Sequence, residues 1–244
     1  KSSVSANYEA KSSYAVTVTT TDSGGLTTPQ AFTVTVNNVN ETPTGIALSS
    51  TAVSENSAGA VVGTLTTTDI DSGDSHTYSL SGADASSFDV ISGQLKLKDS
   101  VSANYEAKSG YAVTVIATDS GGLTTSQAFT ITVNDTNDAP TGIALSSTAV
   151  DENAAGAVVS TLATTDVDAG DSHTYSLSGT DASSFEVVSG QLKLKSSVSA
   201  NYEAKSSYAV TVTATDSGGL TVSQPFTVTV NDVNDAPTGI ALSS

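Results

Sequence analysis

The sequence repeats itself at a period of 97 residues, and that period limits what the chain can fold into. Tyr8, Tyr105 and Tyr202 stand 97 apart, as do Glu55 and Glu152, and His76 and His173. Residues 44–140 align with residues 141–237 without a gap and differ at 16 of the 97 positions. A unit of this length is a whole domain, since solenoid units run to roughly 20–45 residues. Residues 1–43 repeat the last part of the unit and residues 238–244 repeat its start. The expected organisation is a window on a tandem array. It holds the C-terminal part of one repeat at 1–43, full repeats at 44–140 and 141–237, and the start of the next at 238–244.

Apolar residues alternate with polar ones along most of the unit. In the copy at 141–237 this predicts strands at 142–146, 157–165, 173–177, 185–188, 191–195, 208–215 and 221–230, with no helical stretch. Ser189-Gly190 marks a hairpin, and Ser217-Gly218-Gly219 joins the last two strands in a tight turn. Seven short strands with regular turn signals predict an all-β fold. The units are read as tandem seven-stranded Greek-key β-sandwiches of immunoglobulin-like form, arranged head to tail.

The formal net charge is −17, which argues against nucleic acid and anionic membrane as partners and favours cations. Disorder is not expected, because 37% of residues are hydrophobic and alternate regularly. Cys is absent, so disulfides and thiolate metal sites are excluded and the sandwiches need another brace. No stretch reads as a membrane span or a signal peptide.

The charge gathers where the units meet. Asn134-Asp135-Thr136-Asn137-Asp138-Ala139-Pro140 recurs as Asn231-Asp232-Val233-Asn234-Asp235-Ala236-Pro237, with a weaker copy in Asn37-Asn38-Val39-Asn40-Glu41-Thr42-Pro43. Carboxylates this dense repel unless a cation sits among them, and Ca²⁺ takes about six to eight oxygen ligands. The plainer reading is an acidic, solvated linker. Four more clusters fall at strand ends: Asp151-Glu152-Asn153, Asp166-Val167-Asp168, Asn201-Tyr202-Glu203 and Asp216. Asp166 and Asp216 end strands that run the same way and share one pole. Glu152, Asn201 and Glu203 fall near the other pole, beside the linker.

These motifs together resemble the cadherin repeat, in the form found in bacterial exported proteins. Asp151-Glu152-Asn153 matches the family's Glu motif, Asn201-Tyr202-Glu203 its Asp-x-Glu motif and Asp166-Val167-Asp168 its Asp-x-Asp motif. Ala214-Thr215-Asp216 matches its Ala-x-Asp motif, and residues 232–237 match its linker. The resemblance covers the whole unit and implies Ca²⁺ at each junction, rigidifying a string of domains. At the junction between the full repeats it implies Glu55, Asn104, Glu106, Asp135, Asn137, Asp138, Asp166, Asp168 and Asp216 as ligands. At the junction before it, the set is Asn7, Glu9, Asn38, Asn40, Glu41, Asp69, Asp71 and Asp119. After the last full repeat it is Glu152, Asn201, Glu203, Asp232, Asn234 and Asp235. Asn104 and Asn201 stand where the family usually has Asp, and the linker carries Ala236 and is one residue shorter before Pro. Fewer ions or weaker sites than in animal cadherins are expected, and weaker binding at the junction that has Asn38 and Glu41. No early Trp is present, so strand-swap adhesion of the animal type is not implied.

Other constellations carry less. Asp166-x-Asp168-x-Gly170-Asp171 looks like the start of an EF-hand loop but lacks its Glu at position twelve. His76 and His173 each start a strand beside Asp74 and Asp171; a zinc or catalytic role needs partners that the unit lacks, so they are expected to be surface residues. Tyr105 and Tyr202 are expected to be packing residues that position Glu106 and Glu203. No Ser or His belongs to a catalytic constellation, so no enzyme is expected. The functional expectation is a Ca²⁺-stiffened extender or stalk of a repetitive, secreted bacterial adhesin or surface fibre. Its partners are neighbouring repeats and homophilic or fibre contacts. The rival reading is a carbohydrate-binding or homophilic adhesion module, which needs an exposed aromatic patch.

Overall fold

Period-two alternation decides which residues leave water. In a computed structural model that describes residues 5–237, 239 and 240, the chain divides into two compact units, 1–136 and 137–244. The first unit opens with β1 (Ser13–Thr21) and β2 (Thr27–Thr35), an antiparallel two-stranded sheet. A sandwich follows, built from β3 (Gly45–Leu48), β4 (Ala52–Ser54), β5 (Val61–Thr68), β6 (Thr77–Ser81), β7 (Phe88–Ile91), β8 (Gln94–Leu97), β9 (Gly110–Thr118) and β10 (Thr124–Asn134). Its sheets have the orders β3-β5-β8-β7 and β4-β10-β9-β6. The β5–β8 and β6–β9 pairings join strands that are not successive, which is the crossed wiring of a Greek key.

The second unit repeats this with β11 (Gly142–Leu145), β12 (Ala149–Asp151), β13 (Val158–Thr165), β14 (Thr174–Ser178), β15 (Phe185–Val188), β16 (Gln191–Leu194), β17 (Ser207–Thr215) and β18 (Thr221–Asn231). Its sheets are β11-β13-β16-β15 and β12-β18-β17-β14. Each sandwich closes over its own core. Phe88, Leu95, Leu97, Val113, Val115 and Ile131 fill the first, and Phe185, Leu192, Leu194, Val210, Val212 and Val228 the second. Burying each such side chain contributes about 1.5–3 kcal/mol. The β15–β16 hairpin turns at Ser189 and Gly190, whose φ of 51° and 74° are the left-handed pair that a two-residue turn needs.

Two expectations are corrected. The first strand is split: β11 pairs antiparallel with β13, whereas β12 crosses to the other sheet and runs parallel to β18. Three residues are too few for alternation to reveal a strand. The unit also holds a 3₁₀ turn at Ala182–Ser184, with its counterpart at Ala85–Ser87. Asp181 holds that turn by accepting from Lys205 Nζ and, at 2.7 Å, from the Ala209 N–H. The lysine holds the Asp181 carboxyl below its ordinary range. Among the described residues no helix is long and apolar enough to cross a membrane. Of the expected opening strand at 238–244, only Gly239 and Ile240 lie among the described residues.

The β1–β2 pair keeps the alternation but not the burial. Val16, Val18 and Val34 are 45–53% exposed, whereas Val113 and Val115, their counterparts to the first two, are at most 2% exposed. A lone two-stranded sheet is marginal in water. Amide exchange is therefore expected to be much faster across residues 14–20 than across 111–118. Equal protection of the two stretches would show that the pair is stabilised by something other than a core.

Candidate metal centre

The linker that ends at Pro43 enters the sandwich through a buried proline and brings its polar side chains against two loops. One loop follows β5 and carries Asp69 and Asp71. The other follows β9 and carries Asp119. Asn38 Nδ2 donates to Asp71 Oδ1 at 3.1 Å, and the Glu41 N–H donates to Asp71 Oδ2 at 2.7 Å. Asn40 Nδ2 donates to Asp119 Oδ2 at 2.9 Å, while the Leu123 N–H holds Asp119 Oδ1 at 2.8 Å. Gly121 makes that approach possible, since a Cβ there would lie 2.5 Å from the Asn40 side chain. Asp71 and Asp119 are both buried.

Glu9 reaches the same place from the turn before β1. Glu9, Glu41 and Asp71 each offer a carboxylate oxygen, all within 4.8 Å of one another. Glu9 Oε1 and Glu41 Oε2 are buried and accept no hydrogen bond. Burial pushes the Glu41 carboxyl above its ordinary value, and the charges of Glu9 and Asp71 push it further. Burial also works against Asp119, but the Asn40 amide and the turn N–H groups hold it below the ordinary range. The pole thus combines carboxylates held by donors with two buried carboxylate oxygens that have no hydrogen-bond partner among the described residues. Hard oxygen donors in this number suit Ca²⁺.

The second unit carries the same loops. Asn137 Nδ2 donates to Asp216 Oδ2 at 3.0 Å, the Asp138 N–H to Asp168 Oδ2 at 2.7 Å and the Asp168 N–H to Asp166 Oδ1 at 3.2 Å. Gly218 gives Asn137 the same close approach that Gly121 gives Asn40. At the opposite pole of the first sandwich, Glu55 is 3% exposed and accepts the N–H of Tyr105 at 2.7 Å and of Thr136 at 2.8 Å. Glu152 does the same with Tyr202 and Val233, at 2.7 and 2.8 Å. Those two amides hold the Glu152 carboxyl below its ordinary range against the effect of burial. Glu106, Asp135, Glu203, Asp232, Asn234 and Asp235 are exposed around them. Asp235 accepts from Asn153 Nδ2 at 2.9 Å.

Three features differ from the sequence reading or were not visible in it. Asn7, Asn104 and Asn201 each accept the N–H of the alanine three residues on, at 2.6 Å, so their side-chain oxygens cap the turn. Tyr105 and Tyr202 are not packing residues: their side chains leave them 39% and 40% exposed, and their amides are what hold Glu55 and Glu152. His76 and His173 are not surface residues. Their side chains are 11% exposed, and each Nε2 lies 3.0 and 2.9 Å from an Oδ2 of Asp69 and Asp166 respectively. The signal for that pairing is the run Asp-x-Asp-x-Gly-Asp-x-His.

The cadherin-domain family model matches residues 146–231. Human protocadherin Fat 1 is 28% identical over 246 residues, covering 94% of this chain and 5% of its own length. Human cadherin-related family member 2 is 32% identical over 192 residues, covering 70% of this chain and 15% of its own length. This chain thus spans less than a sixth of either relative. The solved structure of protocadherin PcdhgB3 EC1-4 superposes with a TM-score of 0.70 at 24% identity, over 95% of this chain and 60% of that one, and so bears on the fold alone. The crossed two-sheet wiring, the acidic pole and the match over residues 146–231 together make the repeating unit of this chain a cadherin-like β-sandwich.

Proposed function

We propose that the chain is a Ca²⁺-rigidified, non-enzymatic extender segment of a repetitive bacterial extracellular adhesin or surface fibre. Its working parts are the repeats at 44–140 and 141–237, with residues 1–43 and 238–244 carrying the closing and opening portions of the same unit. One observation carries the reading: Glu9, Glu41 and Asp71 converge within 4.8 Å, and two of their buried oxygens have no partner. A dication placed there satisfies those oxygens and ties the turn before β1 to the linker and the β5 loop. Asn38, Asn40, Asp69 and Asp119 complete the set, while Asn7 caps its turn. By repetition, Glu55, Glu106, Asp135, Asn137, Asp138, Asp166, Asp168 and Asp216 hold ions at the next junction. Near-identical units without cysteine add length without new chemistry, which suits a spacer in an exported bacterial protein.

Small-angle scattering tests this. The protein is expected to lengthen when Ca²⁺ replaces chelator, and Glu106→Ala is expected to give a shorter, bent particle in Ca²⁺ with both sandwiches folded. Unchanged dimensions in Ca²⁺ and chelator, or wild-type length in the variant, count against the proposal. The rival reading of a glycan-binding or homophilic module draws on one observation: Tyr8, Tyr105 and Tyr202 are each about 40% exposed, one per repeat. Binding on a glycan array that is lost when these three become Ala would favour it. A silent array would remove its glycan-binding form.

A further inference from the structure

We propose that Asp69, Asp74 and His76 form a second cation site that shares only Asp69 with the repeat-junction set, and that Asp166, Asp171 and His173 form its copy, sharing only Asp166, each suited to a transition-metal dication. The three residues of each group offer one donor atom apiece within 4.8 Å of one another. His76 Nε2 stands 3.0 Å from Asp69 Oδ2, and His173 Nε2 stands 2.9 Å from Asp166 Oδ2. These side chains are nearly closed to water, with 11% of each histidine and 4–5% of each aspartate exposed.

The second observation lies on the third residue. Asp74 Oδ1 accepts the Ser75 N–H at 3.0 Å and the Ser120 hydroxyl. Asp171 Oδ1 likewise accepts the Ser172 N–H at 2.8 Å and the Ser217 hydroxyl at 2.5 Å. In both copies Oδ2 is buried with no hydrogen-bond partner. A buried carboxylate oxygen without a donor is costly, and a cation is a partner that both it and the Asp69 carboxylate can share. Serine donors fixed on the outer oxygen are the kind of support that orients a metal ligand.

The donor set decides the class of ion. Ca²⁺ favours an all-oxygen shell. An imidazole nitrogen beside two carboxylates suits Zn²⁺ and its first-row neighbours. Asp69 belongs to both sets but divides its oxygens: Oδ1 takes the Asp71 N–H at 3.2 Å and Oδ2 faces the histidine. A cavity of about 230 Å³ borders the cluster through Asp74, and the rest of its wall includes the junction residues Asn38, Asn40 and Asp71.

The test keeps the protein of residues 1–244 saturated with Ca²⁺ and then titrates Zn²⁺ by calorimetry and Co²⁺ by its visible absorption. One ion per cluster is expected. His76→Gln with His173→Gln should weaken binding about tenfold or more, and Asp74→Asn with Asp171→Asn should do the same. The histidine variant should keep the Ca²⁺-induced rise in melting temperature, so loss of this site is read apart from loss of the junction site. No Zn²⁺ or Co²⁺ uptake by the Ca²⁺-saturated wild type overturns the proposal. So does uptake of unchanged affinity in the histidine variant.

Discussion

Adding Ca²⁺ to the metal-free protein is expected to raise its melting temperature by about 5–10 °C. A ligand that binds only the folded state stabilises it by about 2.7 kcal/mol at a hundredfold excess over Kd, and for a chain of this size that gives a shift of this order. Extracellular sites of this kind bind at roughly 10⁻⁴–10⁻³ M, so that excess takes about 10 mM Ca²⁺ at the tight end of the range and about 100 mM at the weak end. Glu41 makes one contribution to the pH dependence, opposite in sign to that of the carboxylates held below their ordinary range. Burial, with help from Glu9 and Asp71, raises its carboxyl above the ordinary 4.5, so the folded state holds that proton more tightly than the unfolded chain. Ionising Glu41 therefore costs metal-free stability as pH rises through the raised value, and the cost vanishes below 4.5. Ca²⁺ requires the ionised form, so the rise in melting temperature shrinks as pH falls through the same window. Scanning calorimetry in Ca²⁺ and in chelator, at several pH values, measures both. Superposable melts at neutral pH would remove the junction sites.

Phe185→Ala should produce a loss that no ion repairs. Phe185 is 2% exposed and meets Tyr208 edge to face, with ring centroids 5.6 Å apart at 89°. Truncating a buried phenylalanine costs about 3–5 kcal/mol through lost transfer energy and the cavity left behind. A domain has only about 5–15 kcal/mol in hand, so its repeat should unfold at markedly lower urea. Phe88 meets Tyr111 with the same geometry, and Phe88→Ala should do the same in the first sandwich. An unfolding free energy from urea within about 1 kcal/mol of wild type would mean that the site collapses around the gap.

The long strands were legible because burial follows a period of two. Tyr208, Val210, Val212 and Ala214 face the core, and Ala209 between them does not. The split of the first strand was not legible, because pairing with β18 is decided by a strand some 80 residues away and not by the local pattern of Ala149-Val150-Asp151. At the pole, carboxylates could be read from spacing, since a repeat returns them to equivalent places. What closes around them could not. The donors to Glu55 are the amides of Tyr105 and Thr136, and a backbone N–H has no signature in sequence. The sequence around His76 offers it no partner beyond Asp74, yet the loop after β5 folds back and delivers Asp69 to it.

The parallel pairing of β12 with β18 bears on what happens when a repeat is stretched. Tension applied at its two ends passes through β11 into β12 and leaves through β18. The last two lie side by side over Ala149–Thr229, Val150–Val230 and Asp151–Asn231 and point the same way. Pulling one by its start and the other by its finish drags them past each other lengthwise. Their amide-to-carbonyl contacts, with the Thr229 N–H on the Thr148 carbonyl at 2.8 Å beside them, then have to yield as a group. A hairpin peeled from its open end gives them up in turn. The sandwich is wired so that force along the chain meets its sheet in shear.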